Sequence, residues 1–173
     1  MEMLKRAGAD ISLIRKSEHL EGIDACVIPG GESTTIGKLL VRNNLFKPLK
    51  QRIEEGLPVF GTCAGMILLA KDIQQYDQPR FQALDVEVQR NAYGRQVESF
   101  EADLSVAVCG EPVVRAVFIR APLITRIGKT VTVLASFEGS PVLVRQNNIL
   151  AGSFHPELTD DPRIHQYFIS MIP

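Results

Sequence analysis

The stretch Leu57-Pro-Val-Phe-Gly-Thr-Cys-Ala-Gly-Met-Ile-Leu-Leu-Ala-Lys71 decides the fold, because it predicts a buried strand, a sharp turn and a helix around one cysteine. The apolar run Pro58–Phe60 is typical of a strand, and Ala64–Lys71 consists of good helix formers. Between them, Gly61-Thr-Cys-Ala-Gly65 has the Gly-x-nucleophile-x-Gly spacing of a nucleophile elbow, with a thiol in place of a hydroxyl. We therefore interpret Cys63 as a candidate nucleophile.

Two physical arguments support a reactive thiol at Cys63. The flanking glycines lack a Cβ, so neighbouring backbone can pass close to the turn. A thiol at a helix N-terminus also meets unpaired N–H groups and the positive end of the helix dipole, which favour the thiolate. The alternative is a small buried cysteine whose glycines serve only helix–strand packing. A base and an orienting carboxylate elsewhere in the chain would distinguish the two.

The composition predicts one compact domain over residues 1–173. Of these residues, 45% are hydrophobic and 23% are charged, which suits a soluble chain with a single core. The formal net charge is −1 and no long basic run is present, so we expect neither nucleic acid nor a membrane as partner. The charged N-terminal residues are typical neither of a signal peptide nor of a membrane span.

The cysteines and histidines indicate a cytoplasmic protein without a metal site or a cofactor. The three cysteines form neither a Cys-x-x-Cys pair nor an even set, which fits free thiols in a reducing compartment. Three scattered histidines add no ligand set for zinc. The residues concerned are Cys26, Cys63, Cys109, His19, His155 and His165.

The first residues predict the end of a helix and then a strand. Met1–Ala7 has the composition of a helix closed by Gly8. Asp10–Ile14 alternates polar and apolar residues, as a half-buried strand does. An open α/β sheet usually has a buried apolar strand before its first helix, and none precedes this one.

A glycine-rich loop follows the first apolar run. Ala25-Cys-Val-Ile28 predicts a buried parallel strand that ends at Pro29-Gly-Gly31. A helix is predicted next, through about Arg42, with Ser33 or Thr34 as its cap. Open α/β sheets bind ligands at loops of this kind, at the carboxyl ends of their strands. An ordinary glycine-rich turn is the alternative.

The middle of the chain changes from alternating strands and helices to a series of strands. A helix is predicted over Phe46–Glu55, before the strand that leads to Cys63. The loop Arg90–Gln96 contains two arginines and a glycine, and on spacing alone it is interpreted as a solvated turn. Four further runs indicate extra, partly antiparallel strands beside the parallel core: Val86–Gln89, Val113–Ile119, Val131–Phe137 and Val142–Gln146.

The run Ile149–Phe154 predicts another buried strand, and it ends at His155-Pro-Glu157. Because strand residues two apart share a face, His155 and Glu157 can point the same way. A structural histidine beside a proline turn is the alternative.

A last helix is predicted after Asp160-Asp-Pro162, whose acidic and proline residues are typical of a helix start. Its apolar residues Ile164, Phe168 and Met171 form one stripe, which we assign to the core. His165 falls off this stripe, and we expect it to face solvent.

Cysteine catalysis requires a thiolate, an imidazole that takes and returns the proton, and a group that fixes the imidazole tautomer. Cys63, His155 and Glu157 supply these three parts. Cys63 follows one apolar strand, and the segment with His155 and Glu157 follows another strand of the same predicted sheet. We therefore expect the three residues to meet at the carboxyl edge of that sheet.

The motifs resemble those of a known enzyme family. Three of them resemble the class I (triad) glutamine amidotransferases: Pro29-Gly-Gly-Glu-Ser33, Gly61-Thr-Cys-Ala-Gly65 and Ser153-Phe-His-Pro-Glu157. The chain further resembles the glutaminase subunits of pyridoxal 5′-phosphate synthase over Pro29–Thr35, Gln89–Glu101, Val117–Pro122 and Ser153–Asp161. The resemblance implies a three-layer, flavodoxin-like α/β fold with a mostly parallel sheet, helices on both faces and added antiparallel strands.

The resemblance also implies an activity and a partner. It implies hydrolysis of L-glutamine to L-glutamate and ammonia, and passage of the ammonia through a tunnel to a barrel-shaped synthase subunit. In that hetero-oligomeric complex the ammonia would be used to make pyridoxal 5′-phosphate, the vitamin B6 cofactor.

The resemblance assigns roles to individual residues. Cys63 would attack the amide carbon, His155 would shuttle the proton and Glu157 would orient His155. Backbone N–H groups of Gly31 and Ala64 would hold the oxyanion. The family's glutamine-binding positions match Gly31, Glu32, Ser33, Arg90, Ile119 and Arg120.

One departure from the family leaves alternatives open. The family normally begins with an apolar strand and a Leu-Gln-Gly turn, and Met1 corresponds to a position within the helix after them. We therefore expect a sheet without that strand, which raises the alternative of a catalytically impaired module that only docks on the synthase. Another cysteine amidohydrolase is the remaining alternative, and the match over Gln89–Glu101 argues against it.

Overall fold

The protein is described here by a computed structural model, which covers residues 1–90 and 99–173. Except for Arg90, the predicted loop Arg90–Gln96 lies outside the described residues. The helices are α1 (Glu2–Arg6), α2 (Ser33–Arg42), α3 (Phe46–Glu54), α4 (Ala64–Leu69) and α5 (Arg163–Ile169), and short 3-10 helices span Ser17–Leu20 and Pro156–Leu158. The strands are β1 (Cys26–Ile28), β2 (Val59–Thr62), β3 (Ala70–Ile73), β4 (Leu84–Gln89), β5 (Ser99–Leu104), β6 (Val114–Ile119), β7 (Leu123–Ile127), β8 (Thr132–Phe137), β9 (Ser140–Gln146) and β10 (Ile149–Gly152).

The central sheet has five strands in the order β1-β2-β10-β9-β8. Strands β1, β2 and β10 are parallel, whereas β9 and β8 continue the sheet in antiparallel pairs. Gly152 at the end of β10 is paired with Thr62 at the end of β2. This register brings the residues that follow both strands to the same carboxyl edge, as the sequence predicts.

Alternation along the strands divides the core into two layers. Val59 belongs to the apolar cluster on one face of the sheet, together with residues of α3 and α4. Its neighbour Phe60 belongs to the cluster on the other face, together with β6 and α5. Since successive strand residues point to opposite faces, a fully buried apolar strand requires cover on both sides. The three layers of the fold follow from that requirement.

Two smaller sheets are added to this core. One has the order β3-β4-β7, with β4 and β7 antiparallel, and the other is the antiparallel pair of β5 and β6. The prediction of added, partly antiparallel strands is therefore confirmed. Among the described residues, no helix is long and apolar enough to cross a membrane.

Some local predictions are wrong. Asp10–Ile14 forms no strand, and the helix predicted over Ala64–Lys71 ends at Leu69. Ala70 instead begins β3, where it is paired with Leu84 of β4. Long-range pairing of this kind overrides the helix propensity of the local sequence. Strands β5 and β7 had no counterpart in the sequence interpretation.

Candidate active site

Cys63 lies at the turn between β2 and α4, with φ 48° and ψ −101°. It is buried, and its conformation is strained for a residue with a side chain. A Cβ on Gly61 would lie 2.6 Å from the backbone carbon of Gly65, and a Cβ on Gly65 would collide with the carbonyl oxygen of Ile28. The two glycines therefore allow β1, β2 and α4 to approach closely around Cys63, as the sequence predicts.

His155 follows β10 and faces Cys63 across the carboxyl edge. Its backbone N–H donates to the carbonyl of Val117 at 2.8 Å, which attaches the segment to β6. The hydrogen bond with the Cys63 thiol and then the one with Glu157 raise the pKa of His155 to about 9. The structure therefore brings the predicted nucleophile and the predicted base into contact.

The His155 ring also lies against Gly30. A Cβ on Gly30 would collide with the imidazole Cε1 and lie 2.9 Å from Nδ1. The absence of a side chain at Gly30 therefore gives the imidazole its place. The sequence interpretation assigned no such role to Gly30, although the adjacent pair of glycines was a signal for it.

Glu157 completes the chain of contacts. Its Oε1 lies 2.8 Å from Nδ1 of His155. Burial alone would raise the pKa of Glu157, but the hydrogen bond with His155 holds it below its ordinary value. The sequence predicted that His155 and Glu157 point the same way as residues two apart on a strand. In the structure β10 ends at Gly152, and Glu157 lies in the 3-10 helix Pro156–Leu158. The short helix nevertheless turns the carboxylate back onto the imidazole.

The end of β6 lies beside the nucleophile. The Cys63 thiol lies 3.9 Å from the carbonyl oxygen of Ile119. The next residue, Arg120, has a positive φ of 43° and an exposed side chain. No ion pair or hydrogen bond joins the Arg120 side chain to another described residue. The structure thus places an exposed cationic side chain one residue from a carbonyl that lies beside the Cys63 thiol.

The loop after β1 contains the other predicted binding residues. Gly31 has φ 143°, in a region that favours glycine. Glu32 is the N-cap of α2, where its carboxylate accepts from the backbone N–H groups of Thr34 at 3.1 Å and Thr35 at 2.7 Å. The predicted caps, Ser33 and Thr34, are therefore wrong. Hydrogen bonds, first that from the Thr35 hydroxyl, lower the pKa of Glu32 to about 2.

Arg90 lies in this same cluster. Its guanidinium forms an ion pair with Glu32 at 3.0 Å and donates to the Thr34 hydroxyl at 3.1 Å. It also lies over the Tyr76 ring, 4.3 Å from the centroid. The interpretation of Arg90 as part of a merely solvated turn is therefore wrong, because its guanidinium is fixed by several partners.

Gln78 is a residue that sequence reasoning missed. It is buried, and its Oε1 accepts from the hydroxyls of Ser33 and Thr34, both at 3.1 Å, and from Arg90 at 3.3 Å. No local pattern marks Gln78 in the sequence, since its partners are far away along the chain. Its amide connects the start of α2 to the end of β4.

His165 is placed differently from the prediction. Only 3% of its surface is exposed, although the sequence predicted that it faces solvent. Its ring meets that of Phe60 edge-on, with 5.8 Å between centroids. Residues next to an apolar helix stripe are buried when a second element covers that side, and β2 covers it here.

Within residues 1–90 and 99–173, no group of three or more histidine, cysteine, aspartate or glutamate side chains could hold a metal ion. The other two cysteines are free thiols. Burial raises the pKa of Cys26 to about 11, which makes that thiol a poor nucleophile.

Comparison with known proteins identifies the family. The model of the SNO glutamine amidotransferase family matches residues 1–173. The chain belongs to this family. The family resemblance inferred from the three motifs is thus confirmed, and the two alternatives to a glutaminase are not favoured.

Several curated relatives carry the name pyridoxal 5′-phosphate synthase subunit PdxT. The protein of Pelotomaculum thermopropionicum is 59% identical over 97% of this chain and 86% of its own length. That of Carboxydothermus hydrogenoformans is 56% identical over 99% of this chain and 90% of its own. That of Moorella thermoacetica is 55% identical over 99% of this chain and 92% of its own length.

Solved structures show the same fold. A crystal structure of a glutamine amidotransferase has a TM-score of 0.94 at 54% identity, covering 99% of this chain and 90% of the other. The structure of PurLQS from Thermotoga maritima has a TM-score of 0.67 at 15% identity, and the match covers 99% of this chain and 91% of the other. At this identity the match shows likeness of fold alone. The predicted fold class is confirmed.

Proposed function

We propose that this protein hydrolyses L-glutamine to L-glutamate and ammonia, and that it is the glutaminase subunit of pyridoxal 5′-phosphate synthase. The observation that carries the proposal is the contact chain from Cys63 through His155 to Glu157, at the carboxyl edge of a glutamine amidotransferase fold. The names of the curated relatives are the basis for proposing the complex that receives the ammonia.

The contact chain supports a two-step reaction. Because Glu157 engages Nδ1 of His155, Nε2 is the nitrogen left to exchange a proton with the Cys63 thiol. Sulfur adds to the amide carbon, and the tetrahedral intermediate expels ammonia, which takes its proton from His155. Water, deprotonated by His155, then adds to the thioester and releases glutamate, and the proton returns to the thiol.

The oxyanion of both tetrahedral intermediates needs two N–H donors. Ala64 is the first residue of α4, where backbone N–H groups have no partner within the helix. Gly31, in the loop after neighbouring β1, is the second donor that we propose. Removal of one such donor commonly slows acyl transfer by about 100-fold or more.

The remaining predicted residues suit the two charged ends of glutamine. The carboxylate of Glu32 and the carbonyl of Ile119 are acceptors for the substrate ammonium group. Arg90 is already paired with Glu32, whereas Arg120 is exposed and unpaired among the described residues. We therefore assign the substrate carboxylate to Arg120, and we assign Arg90 and Ser33 to holding the loop that contacts the substrate.

The ammonia has to reach a second active site before it escapes into water. We propose that a barrel-shaped synthase subunit docks on this protein in a cytoplasmic hetero-oligomer and receives ammonia through a tunnel. The glutaminase step itself requires neither a metal nor an organic cofactor, because thiol, imidazole and backbone donors supply its chemistry.

The test is glutamate release from glutamine, measured in the presence of the synthase subunit. We expect Cys63→Ala to lower kcat by at least about 1,000-fold, as removal of a nucleophile does in other hydrolases. Cys109→Ala is the matched control, since Cys109 is a half-buried free thiol on which the charges of Arg163 and Asp161 act, and it should retain activity. Equal rates for wild type and Cys63→Ala would show that Cys63 is not the nucleophile and would contradict the proposed mechanism.

A further inference from the structure

His165 is a buried ionisable side chain that the proposed mechanism does not use. It lies on α5, with its ring edge-on to Phe60 at an interplanar angle of 74°. Phe60 belongs to β2, three residues before Cys63. His165 therefore belongs to the layer directly beneath the strand that presents the nucleophile.

Two buried polar atoms in this region have no hydrogen-bond partner among the residues that the structure describes. One is Nδ1 of His165, and the other is Oε2 of Glu157. Oε1 of the same carboxylate is engaged by His155 at 2.8 Å. A buried donor or acceptor without a partner costs free energy, so natural proteins leave few of them unpaired. Here one atom can donate and the other accepts, so pairing the two would satisfy both.

The charges of the two side chains act on each other. Burial lowers the pKa of His165 and keeps the imidazole neutral at pH 7, while the charge of Glu157 acts in the opposite direction. In turn, His165 is one of the groups that hold the pKa of Glu157 low. A neutral imidazole has one N–H and an ionised carboxylate only accepts, so the chemistry fits a donor at Nδ1 of His165.

We propose that His165 is a positioning residue whose Nδ1–H donates to Oε2 of Glu157 and so keeps Oε1 directed at His155. The terminal torsions of histidine and glutamate are broad, so rotation of the two groups is the adjustment by which this hydrogen bond would form. A carboxylate held at both oxygens cannot turn away from the imidazole. The contact chain of the site then has four members: His165, Glu157, His155 and Cys63.

This role rests on the proposed glutaminase mechanism, but part of its test needs no substrate. Nitrogen-15 NMR of the wild-type protein at pH 7 distinguishes the two neutral tautomers of each histidine. We expect the proton of His165 on Nδ1. A proton on Nε2 would overturn the proposal, whether or not the protein proves to be a glutaminase.

Two variants separate positioning from packing. His165→Phe retains an aromatic ring against Phe60 and removes the donor. His165→Asn returns an N–H donor near the position of Nδ1 and removes the ring. If His165 acts through Glu157, the phenylalanine variant should lower kcat about tenfold with KM for glutamine within twofold of wild type. The pKa of His155 in the phenylalanine variant should fall by at least about half a unit, because the hydrogen bond with Glu157 is one cause of the raised pKa. The asparagine variant should restore both quantities.

The outcomes that contradict the proposal are equally distinct. If His165 is only a core residue, His165→Asn will unfold at lower temperature, while neither variant changes the pKa of His155. Unchanged kcat and unchanged His155 pKa in His165→Phe would exclude the positioning role. If wild type releases no glutamate with the synthase present, the proposed function fails, and the tautomer and the pKa measurements still decide the contact.

Discussion

At the scale of single residues, the geometry of the site depends on positions without a side chain. Gly61 and Gly65 let helix α4 approach the strands around Cys63, and Gly30 gives the His155 imidazole its place. The strained conformation of Cys63 persists because close backbone packing surrounds it. The orientation of the catalytic groups therefore depends on residues that take no part in the chemistry.

Gly30→Ala should impair catalysis without preventing folding. The added methyl would occupy the position of the imidazole and push Nδ1 away from Glu157, while the flexible ring can yield by rotating. We expect kcat to fall on the order of 100-fold, the cost of displacing a catalytic group by about 1 Å. Steady-state kinetics with the synthase subunit, together with thermal unfolding, measure the two effects.

Gly152→Ala is the matched control for that substitution. It adds the same methyl group at the same edge of the sheet, but the nearest atoms lie at 3.4 Å and beyond, in ordinary contact. We expect it to retain most of the activity. If Gly30→Ala were as active as Gly152→Ala, the imidazole would not depend on Gly30.

Individual site residues could be predicted from the sequence where a motif ends a buried strand. Cys63, His155 and Glu157 follow such strands, and parallel pairing brings them together. Gln78 could not be predicted, because its hydrogen bonds connect it to Ser33, Thr34 and Arg90 from elsewhere in the chain. The roles given to the site residues stay predictions until they are tested by substitution.

At the scale of secondary structure, apolar strands and helices with clear ends were predictable, and elements that depend on distant partners were not. Strands β1, β2 and β10 are short apolar runs that only a doubly covered sheet can bury. Asp10–Ile14 has the alternation of a strand but pairs with no strand of the described part of the chain. Ala70–Ile73 has partly helical propensity and becomes a strand because it pairs with β4. Alternation and propensity are local properties, whereas a strand exists only through its neighbour.

The N-cap of helix α2 connects the start of that helix to the end of β4. Glu32 accepts the first N–H groups of the helix and also pairs with Arg90 of the β4 end. Glu32→Ala should lower the free energy of unfolding by about 1 kcal/mol, the usual cost of losing a cap. It should also raise KM for glutamine, since the substrate ammonium group loses a proposed acceptor and the loop with Gly31 loses its attachment to Arg90. Urea unfolding and steady-state kinetics measure the two effects.

Arg90→Gln is the control that leaves the cap in place. It removes the ion pair together with the other contacts of the guanidinium, with Thr34, Gln78 and the Tyr76 ring. Since the cap itself remains, its effect on stability should be smaller than that of Glu32→Ala, whereas KM should rise in both. The KM effects of the two changes should be less than additive in the double variant, because either one breaks the same contact. Additive effects would show that Arg90 and Glu32 act independently.

At the scale of the whole molecule, the edge of the sheet links protonation to folding. His155 and Glu157 stabilise each other's charged forms only in the native arrangement. In the unfolded chain, β2 and β10 no longer bring His155 to Cys63, and histidine returns to its ordinary pKa. The free energy of unfolding must then depend on pH through these two groups. The assignment of residues 1–173 to one domain stays a prediction.

Stability should decrease as pH rises from 6.5 to 9. The pKa of His155 lies at about 9 in the folded protein and near 6.5 without its partners, so the native state binds an extra proton in this interval. The stabilisation is complete below pH 6.5 and is lost as pH rises through 9, with a slope of up to about 1.4 kcal/mol per pH unit for one proton. Glu157 acts in the opposite direction, because its lowered pKa gives stability that is lost when the pH falls through its folded pKa.

Urea unfolding of wild type, His155→Gln and Cys63→Ala at several pH values measures this linkage. The difference between wild type and His155→Gln isolates the imidazole from the other groups that titrate in the interval. Cys63→Ala retains the imidazole but removes the largest cause of its raised pKa, so we expect an intermediate slope. Parallel curves for wild type and His155→Gln between pH 6.5 and 9 would mean that the folded sheet does not hold His155 in its charged form.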